Sequence, residues 1–195
     1  VLHGVVVGHL PLTHGEVEGV DGLGLLHAGN GQGLAVTGGA GHRAVVRVVG
    51  QSVQTIAMLA GVDVPDGTRM ILIKARSIGK DEPLCREKMC PVMITASYDT
   101  FENAVKLAQT DLDCEGKGHT ASLHSNDMDH IKYAGEKLTV SRLIVNQPSS
   151  TGAGGSLYNG FAPTTTLGCG SWGNNSISEN LNYTHLINVS QIGLY

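Results

Sequence analysis

Residues 91–146 read PVMITASYDTFENAVKLAQTDLDCEGKGHTASLHSNDMDHIKYAGEKLTVSRLIVN, and their pattern decides the fold class. PVMITAS (Pro91 to Ser97) is a short apolar run of strand type. Asp99 or Thr100 is placed to cap a helix over FENAVKLAQ, in which Phe101, Ala104, Val105 and Ala108 share one face. HTASLHS (His119 to Ser125) is the next strand, Asn126 is placed to cap a helix over DMDHIKYAGEKL, and SRLIVN (Ser141 to Asn146) is a further strand. Strand, helix, strand, helix, strand is the alternation that builds a parallel α/β sheet.

Upstream, SVQTIAMLAG predicts a short helix with Ser52 as its cap. Val53, Ile56 and Ala60 form its buried face, and Gly61 closes it in the left-handed conformation. VDVPDGT is a turn built on Pro65 and the Asp66-Gly67 pair, and RMILIKA is a strand. Downstream, Gln147 to Asn180 shows no regular pattern over a length too great for an ordinary loop, which marks it as functional or packed on something large. HLINVSQIG then reads as a closing strand, part of an arm that pairs outside the main sheet.

The alphabet changes near residue 50. Val1 to Gly50 carries 13 glycines, 11 valines and 5 histidines, with no Lys, Ile, Ser, Cys, Met or aromatic residue. All those types appear from Gln51 onward, so the chain divides into residues 1–49 and 50–195. Glycine interrupts every candidate helix or strand of the first segment, and its composition argues against a core of its own. Three readings stand beside one another. The tract binds metal through His3, His9 and His14, although their spacing matches no zinc pattern. It is a natural flexible extension. Or it is GC-rich coding sequence read in a shifted frame, the reading favoured here, which the coding DNA read in its other frames decides.

At 195 residues the chain is long enough for one domain with a real core and too short for two large ones. Charged residues make up 15% and the net charge is -4, so nothing points to nucleic acid or an anionic membrane as partner. No apolar run approaches a membrane span, and the N-terminal stretch has no basic region of the kind that opens a signal peptide. Cys85, Cys90, Cys114 and Cys169 are too few for a disulfide framework, and fit a reduced, cytoplasmic protein.

Few residues offer chemistry by pattern alone. Cys90 precedes Pro91 at a strand entry and Cys169 lies between Gly168 and Gly170. Each is a nucleophile if a base or helix end lowers its pKa, or a small buried residue. GCGSWGNN lacks a following Lys and the strand-to-helix setting of a phosphate loop. It reads as a tight loop where backbone meets backbone, with Trp172 as packing anchor. Glu87, just before a strand, sits at a C-terminal or entry edge of the sheet, where it is either a ligand-binding carboxylate or a solvated one. His119 is either a proton carrier or a core histidine. No Cys/His grouping has paired zinc spacing, so no metal site is expected.

The runs LCREKMCPV, GHTASLHS, SRLIVNQP and PTTTLGCGSWGNNSISENLNYTHLINVSQIG, in that order, resemble the C-terminal part of CoA-acylating aldehyde dehydrogenases over residues 50–195. The resemblance implies part of a Rossmann-like three-layer catalytic domain with a β oligomerisation arm. It implies reversible oxidation of an aldehyde with NAD or NADP and coenzyme A, through a thiolate adduct resolved by CoA. EKMCPV is similar to the family's E-x-x-G-P-V run, with Cys90 where glycine is usual. Glu87 would then hold the nicotinamide ribose hydroxyls, with Met89 and Pro91 beside the cofactor. His119 would lie near the reactive thiol, and Asn146 and Pro148 would border the aldehyde pocket. The longest run resembles the succinate-semialdehyde branch more than the acetaldehyde or propanal ones, with sulfoacetaldehyde or acetaldehyde as alternative substrates. Arg142 is a candidate cation for an anionic substrate. The family's cysteine segment, of the type N-G-x-x-C-x-S-E-Q, does not occur in the sequence. The resemblance therefore implies a fragment inactive alone, from a homo-oligomeric parent (dimer or tetramer), or a non-catalytic oligomerisation module.

Overall fold

The computed structural model describes residues 5–8, 23–25, 48–75 and 77–195, the first two stretches as backbone only. His3, His9 and His14 lie outside the described residues. The chain divides into two compact units, one formed by Val1 and His9–Glu115 and the other by Leu2–Gly8 and Gly116–Tyr195.

In the first unit, strands β2 (Leu23–Leu25), β3 (Met70–Lys74) and β4 (Val92–Thr95) form a parallel sheet in that order. Helix α1 (Val53–Ala60) forms as its end signals require. Ser52 Oγ accepts from Thr55 N at 3.2 Å, and Gly61, at φ +68°, turns its N–H back to Met58 O. Val53 and Ile56 meet Ile71 and Ile73 of β3 in a small core, with Val64, Leu84 and Val92 at its margin. Burying four such side chains contributes about 2 kcal/mol each at most. Helix α2 (Phe101–Cys114) is capped by Thr100 rather than Asp99, its Oγ1 accepting from Asn103 N at 3.2 Å. It runs five residues past Gln109, because Leu112 extends the buried stripe of Ala104, Val105 and Ala108 by one more turn.

In the second unit β1 (Val5–Gly8), β5 (Gly118–His124) and β6 (Val140–Val145) form another parallel sheet in that order. Glycine therefore does not exclude strands from the first fifty residues: β1 ends on Gly8 and β2 contains Gly24. Each borrows its hydrogen bonds from a neighbouring strand, and backbone pairing needs no side chain from the glycine. Helix α3 (Met128–Lys137) is capped by Asp127, whose carboxylate accepts from Asp129 N at 2.8 Å and His130 N at 3.3 Å. Asn126, expected as the cap, instead accepts from Asn146 Nδ2 at 3.1 Å. Parallel alternation of the two sheets is the α/β arrangement anticipated from the sequence.

After β6 a short helix α4 (Ser149–Gly152) gives way to irregular chain. Residues 166–181 then fold back as a narrow antiparallel ribbon: Leu181 N bonds Thr166 O at 3.0 Å, Gly168 N bonds Glu179 O at 3.0 Å, and Gly170 N bonds Ile177 O at 2.8 Å. The strand expected over His185–Gly193 is not formed. Tyr183–Leu186 is a 3-10 turn, and residues 187–195 carry no regular structure. A strand forms only where another edge supplies donors and acceptors, and no strand pairing is formed by this stretch among the described residues.

The ribbon lies against the start of β5. Gly118, at φ +79°, brings its Cα so close to Cys169 that a Cβ there would stand 1.9 Å from the Cys169 carbonyl oxygen. Gly118→Ala therefore combines a left-handed penalty with a backbone clash, and is expected to cost about 3 kcal/mol or more. Urea denaturation monitored by circular dichroism measures it, and a wild-type midpoint would deny the close approach.

Candidate functional site

The first unit holds Glu87, Met89 and Pro91 on one irregular stretch between a 3-10 turn (Pro83–Cys85) and β4. This is the entry edge of a parallel sheet, not the C-terminal edge. Pro91 passes the chain into the sheet by accepting from Ile71 N at 2.9 Å. Met89 O accepts from Gly50 N at 2.8 Å, and its side chain keeps 47% of its surface open, free to pack on a ligand. Glu87 is half-buried with its Oε1 enclosed. Its N–H donates to Glu115 Oε2 at 2.6 Å, a short charge-assisted bond. Lys88 turns back on the preceding turn, its amine donating to Leu84 O and, at 2.9 Å, to Arg86 O. Burial lowers the Lys88 pKa, while Asp111 and Glu115 act to keep its charge.

The cysteines of this unit are poor nucleophiles. Burial pushes Cys85 up to about 11, helped by Asp111, and burial also raises Cys90 and Cys114. Of the two readings of Cys90, the geometry favours the small packed residue, which leans on the core cluster. All four cysteines are free. Among the described residues no group of three or more His, Cys, Asp or Glu is placed to hold a metal ion.

In the second unit His119 is the second residue of β5 while Asn146 and Pro148 follow the far end of β6. The register pairs Gly118 with Val140 and Leu123 with Val145, so His119 stands at the N-terminal edge of the sheet and Asn146 at the C-terminal edge. About five strand residues, on the order of 16 Å, separate them. The resemblance sets His119 near the reactive thiol and Asn146 with Pro148 at the aldehyde pocket; within this unit the first stands at one edge of the sheet and the other two follow the opposite edge. Asn146 is in the left-handed region at φ 55°, a conformation asparagine tolerates. Its amide pairs with the Ser125 backbone, Oδ1 accepting from N and Nδ2 donating to O, both at 3.0 Å. Pro148 O accepts from Gly152 N at 2.9 Å and starts α4.

Arg142 is the residue whose role pattern reading missed. It is 3% exposed, with no carboxylate among its bonded partners. Nε donates to Thr120 Oγ1 at 3.1 Å, one terminal nitrogen to His119 O at 3.2 Å and Gly168 O at 2.8 Å, and the other to Ser178 O at 3.4 Å and Asn180 Oδ1 at 3.5 Å. Its five N–H groups thus have five acceptors, and the guanidinium is not available to a substrate carboxylate. No sequence signal marks this, because the acceptors are mainly backbone carbonyls scattered over sixty residues. Cys169, the other candidate thiol, lies beside this guanidinium, and its N–H donates to Asn175 Oδ1 at 3.0 Å. Trp172, expected as an anchor, is 52% exposed, since the glycines around it bring backbone against backbone and leave the indole outside. It lines an open cavity of about 460 Å³ with Arg142, Phe161 and Glu179, at the start of β6.

The chain is 59% identical over 149 residues to succinate-semialdehyde dehydrogenase (acetylating) of Clostridium kluyveri, covering 76% of the chain and 33% of that protein. It is 34% identical over 148 residues to sulfoacetaldehyde dehydrogenase of an Acholeplasma species, covering 76% and 31%. Among solved structures, a probable aldehyde dehydrogenase of Listeria monocytogenes superposes with a TM-score of 0.69 at 36% identity, over 76% of this chain and 33% of that one. No family model matches the chain. In sequence and in α/β fold the matched part belongs with a segment of the acylating aldehyde dehydrogenases, oxidoreductases of the aldehyde-oxidising class. Within that family the succinate-semialdehyde enzyme is the stronger of the two likenesses, and the chain spans about a third of its length.

Two outcomes follow from these geometries. Arg142→Met leaves buried carbonyls without donors and is expected to cost about 3 kcal/mol in urea denaturation, with Arg142→Lys less damaging because it keeps a charge and three donors. A loss below about 0.5 kcal/mol would remove Arg142 from the role given to it. Cys85 has a folded pKa of about 11, above its ordinary 9.0. Its stabilising contribution is complete below pH 9 and is lost as pH rises toward 11, because the unfolded thiol ionises first. Melting temperatures across that range should fall more steeply for the wild type than for Cys85→Ala.

Proposed function

We propose that this chain forms the part of an acylating aldehyde dehydrogenase that flanks the nicotinamide and the reactive thiol, with succinate semialdehyde as the aldehyde. The reaction is aldehyde, CoA and NAD+ or NADP+ giving acyl-CoA and the reduced dinucleotide, run in either direction. The observation that carries the reading is Glu87: a half-buried carboxylate at a strand entry, its backbone held on a charged partner, inside a segment 59% identical to a succinate-semialdehyde enzyme. Glu87 binds the nicotinamide ribose hydroxyls as paired acceptor, and Met89 with Pro91 covers the ring. His119 serves the reacting centre, with its backbone carbonyl fixed by Arg142. Asn146 and Pro148 border the aldehyde pocket, Asn146 by shaping the turn after β6. With Arg142 committed, the cation for a succinate-type carboxylate comes from elsewhere in the enzyme.

The thiolate of the reaction belongs to a segment of the N-G-x-x-C-x-S-E-Q type, so these 195 residues bind but do not turn over. A homo-oligomer, dimer or tetramer, in the cytoplasm is the setting. In favour of self-association, Leu186, Ile187, Val189, Ile192 and Leu194 are each more than half exposed along the tail. No helix among the described residues is long and apolar enough to cross a membrane.

Fluorescence titration with NADPH and NADH tests the reading. Glu87→Gln is expected to weaken binding about tenfold, the loss of two charge-assisted bonds to ribose hydroxyls. Equal affinity in the variant, or CoA-dependent NAD(P)H formation from succinate semialdehyde by the chain itself, contradicts it.

A further inference from the structure

Glu87 lies on a stretch without regular structure, Arg86 to Cys90, which the sheet takes up only at Pro91. Two charged side chains close that gap, and they act on a single peptide unit. The Arg86 carbonyl accepts from the Lys88 ammonium at 2.9 Å, and the N–H of the same unit, on Glu87, donates to Glu115 Oε2 at 2.6 Å. We propose that Lys88 and Glu115 are positioning residues for Glu87, clamping the Arg86–Glu87 peptide between a cation at its oxygen and an anion at its nitrogen. This rests on the reading of Glu87 as the dinucleotide-binding carboxylate.

The placement of the charges matches the peptide dipole, positive at N–H and negative at C=O. Held at both ends, the peptide plane cannot rotate about its flanking bonds, and the direction of the Glu87 Cα–Cβ bond is set. That direction decides where the carboxylate meets two adjacent hydroxyls. Lys88 also donates to Leu84 O, so the amine ties the 3-10 turn to the clamp. Glu115 enters from the C-terminal cap of α2, which fixes its origin through fourteen residues of helix. The groups facing Lys88 are Asp111, Glu115, Cys85 and Cys90, and the two carboxylates favour the ammonium form the clamp needs. Glu115 is exposed, so its share is modest and screened by salt.

Titration of the full chain with NADPH, alongside amide hydrogen exchange at Glu87, is the test. Lys88→Met and Glu115→Ala are each expected to weaken binding about fivefold. Lys88→Arg, which keeps the cation, and Glu115→Gln, which keeps an acceptor, should recover part of the loss. Glu87 amide exchange should quicken in Glu115→Ala. If Lys88→Met and Glu115→Ala bind as wild type while Glu87→Gln is weakened, the clamp is irrelevant and Glu87 keeps its role. If Glu87→Gln also binds as wild type, or the wild-type chain does not bind NADPH, the reading of Glu87 falls and the clamp with it. Equal weakening in Lys88→Arg and Lys88→Met, and in Glu115→Gln and Glu115→Ala, points to fold damage and overturns the positioning role.

Discussion

The second unit depends on one buried cation. Arg142 projects from the middle of β6 and gathers β5, the ribbon at Gly168 and the ribbon's return strand at Ser178 and Asn180. A charge this enclosed is tolerated because every N–H has an oxygen, and because carbonyl dipoles substitute for the missing counter-ion. Asn180 extends the same network, its Nδ2 donating to Ala153 O at 2.9 Å and Ala162 O at 2.8 Å. The long stretch without regular pattern is therefore ordered from inside, by side chains that hold its backbone, and not by an apolar core.

The first unit solves a similar problem at smaller scale. The cluster behind its sheet is four branched side chains among the described residues, and the stretch carrying Glu87 lies outside regular structure. Lys88 and Glu115 there do for one peptide what Arg142 does for a whole ribbon. In both units a side chain proposed to act on a ligand has its backbone fixed by a charged group from another element. Glu87 is held through its N–H and His119 through its carbonyl. Such support keeps the reacting groups in place without using the atoms that must meet the ligand.

What was legible in the sequence was local. Ser52, Thr100 and Gly61 announce helix ends because capping is a relation between residues three or four apart. The four strands from Met70 to Val145 are apolar runs bounded by turn residues, and they formed where the pattern put them. Asn126 and Asp127 are equally good caps by type, and the choice fell to Asp127 because Asn146 occupied Asn126. The ribbon was illegible since its pairing rests on glycine, serine and threonine with no alternation to read. The tail misled for the opposite reason: its Ile, Val and Leu have strand character, but a strand also needs a neighbour. The roles of Arg142, Lys88 and Glu115 depend on carbonyls and amides, which every residue has and no sequence displays.

The order of the chain through the second sheet has a kinetic side. Val5 pairs with Ala121, and Gly118 touches Cys169, so the sheet's first strand waits for more than a hundred residues before its neighbour exists. On a ribosome nearly all of the first unit emerges in that interval, and the ribbon that completes the Arg142 network comes later still. Contacts of such long sequence separation make assembly slow, and they leave β5 and β6 with open edges while it proceeds.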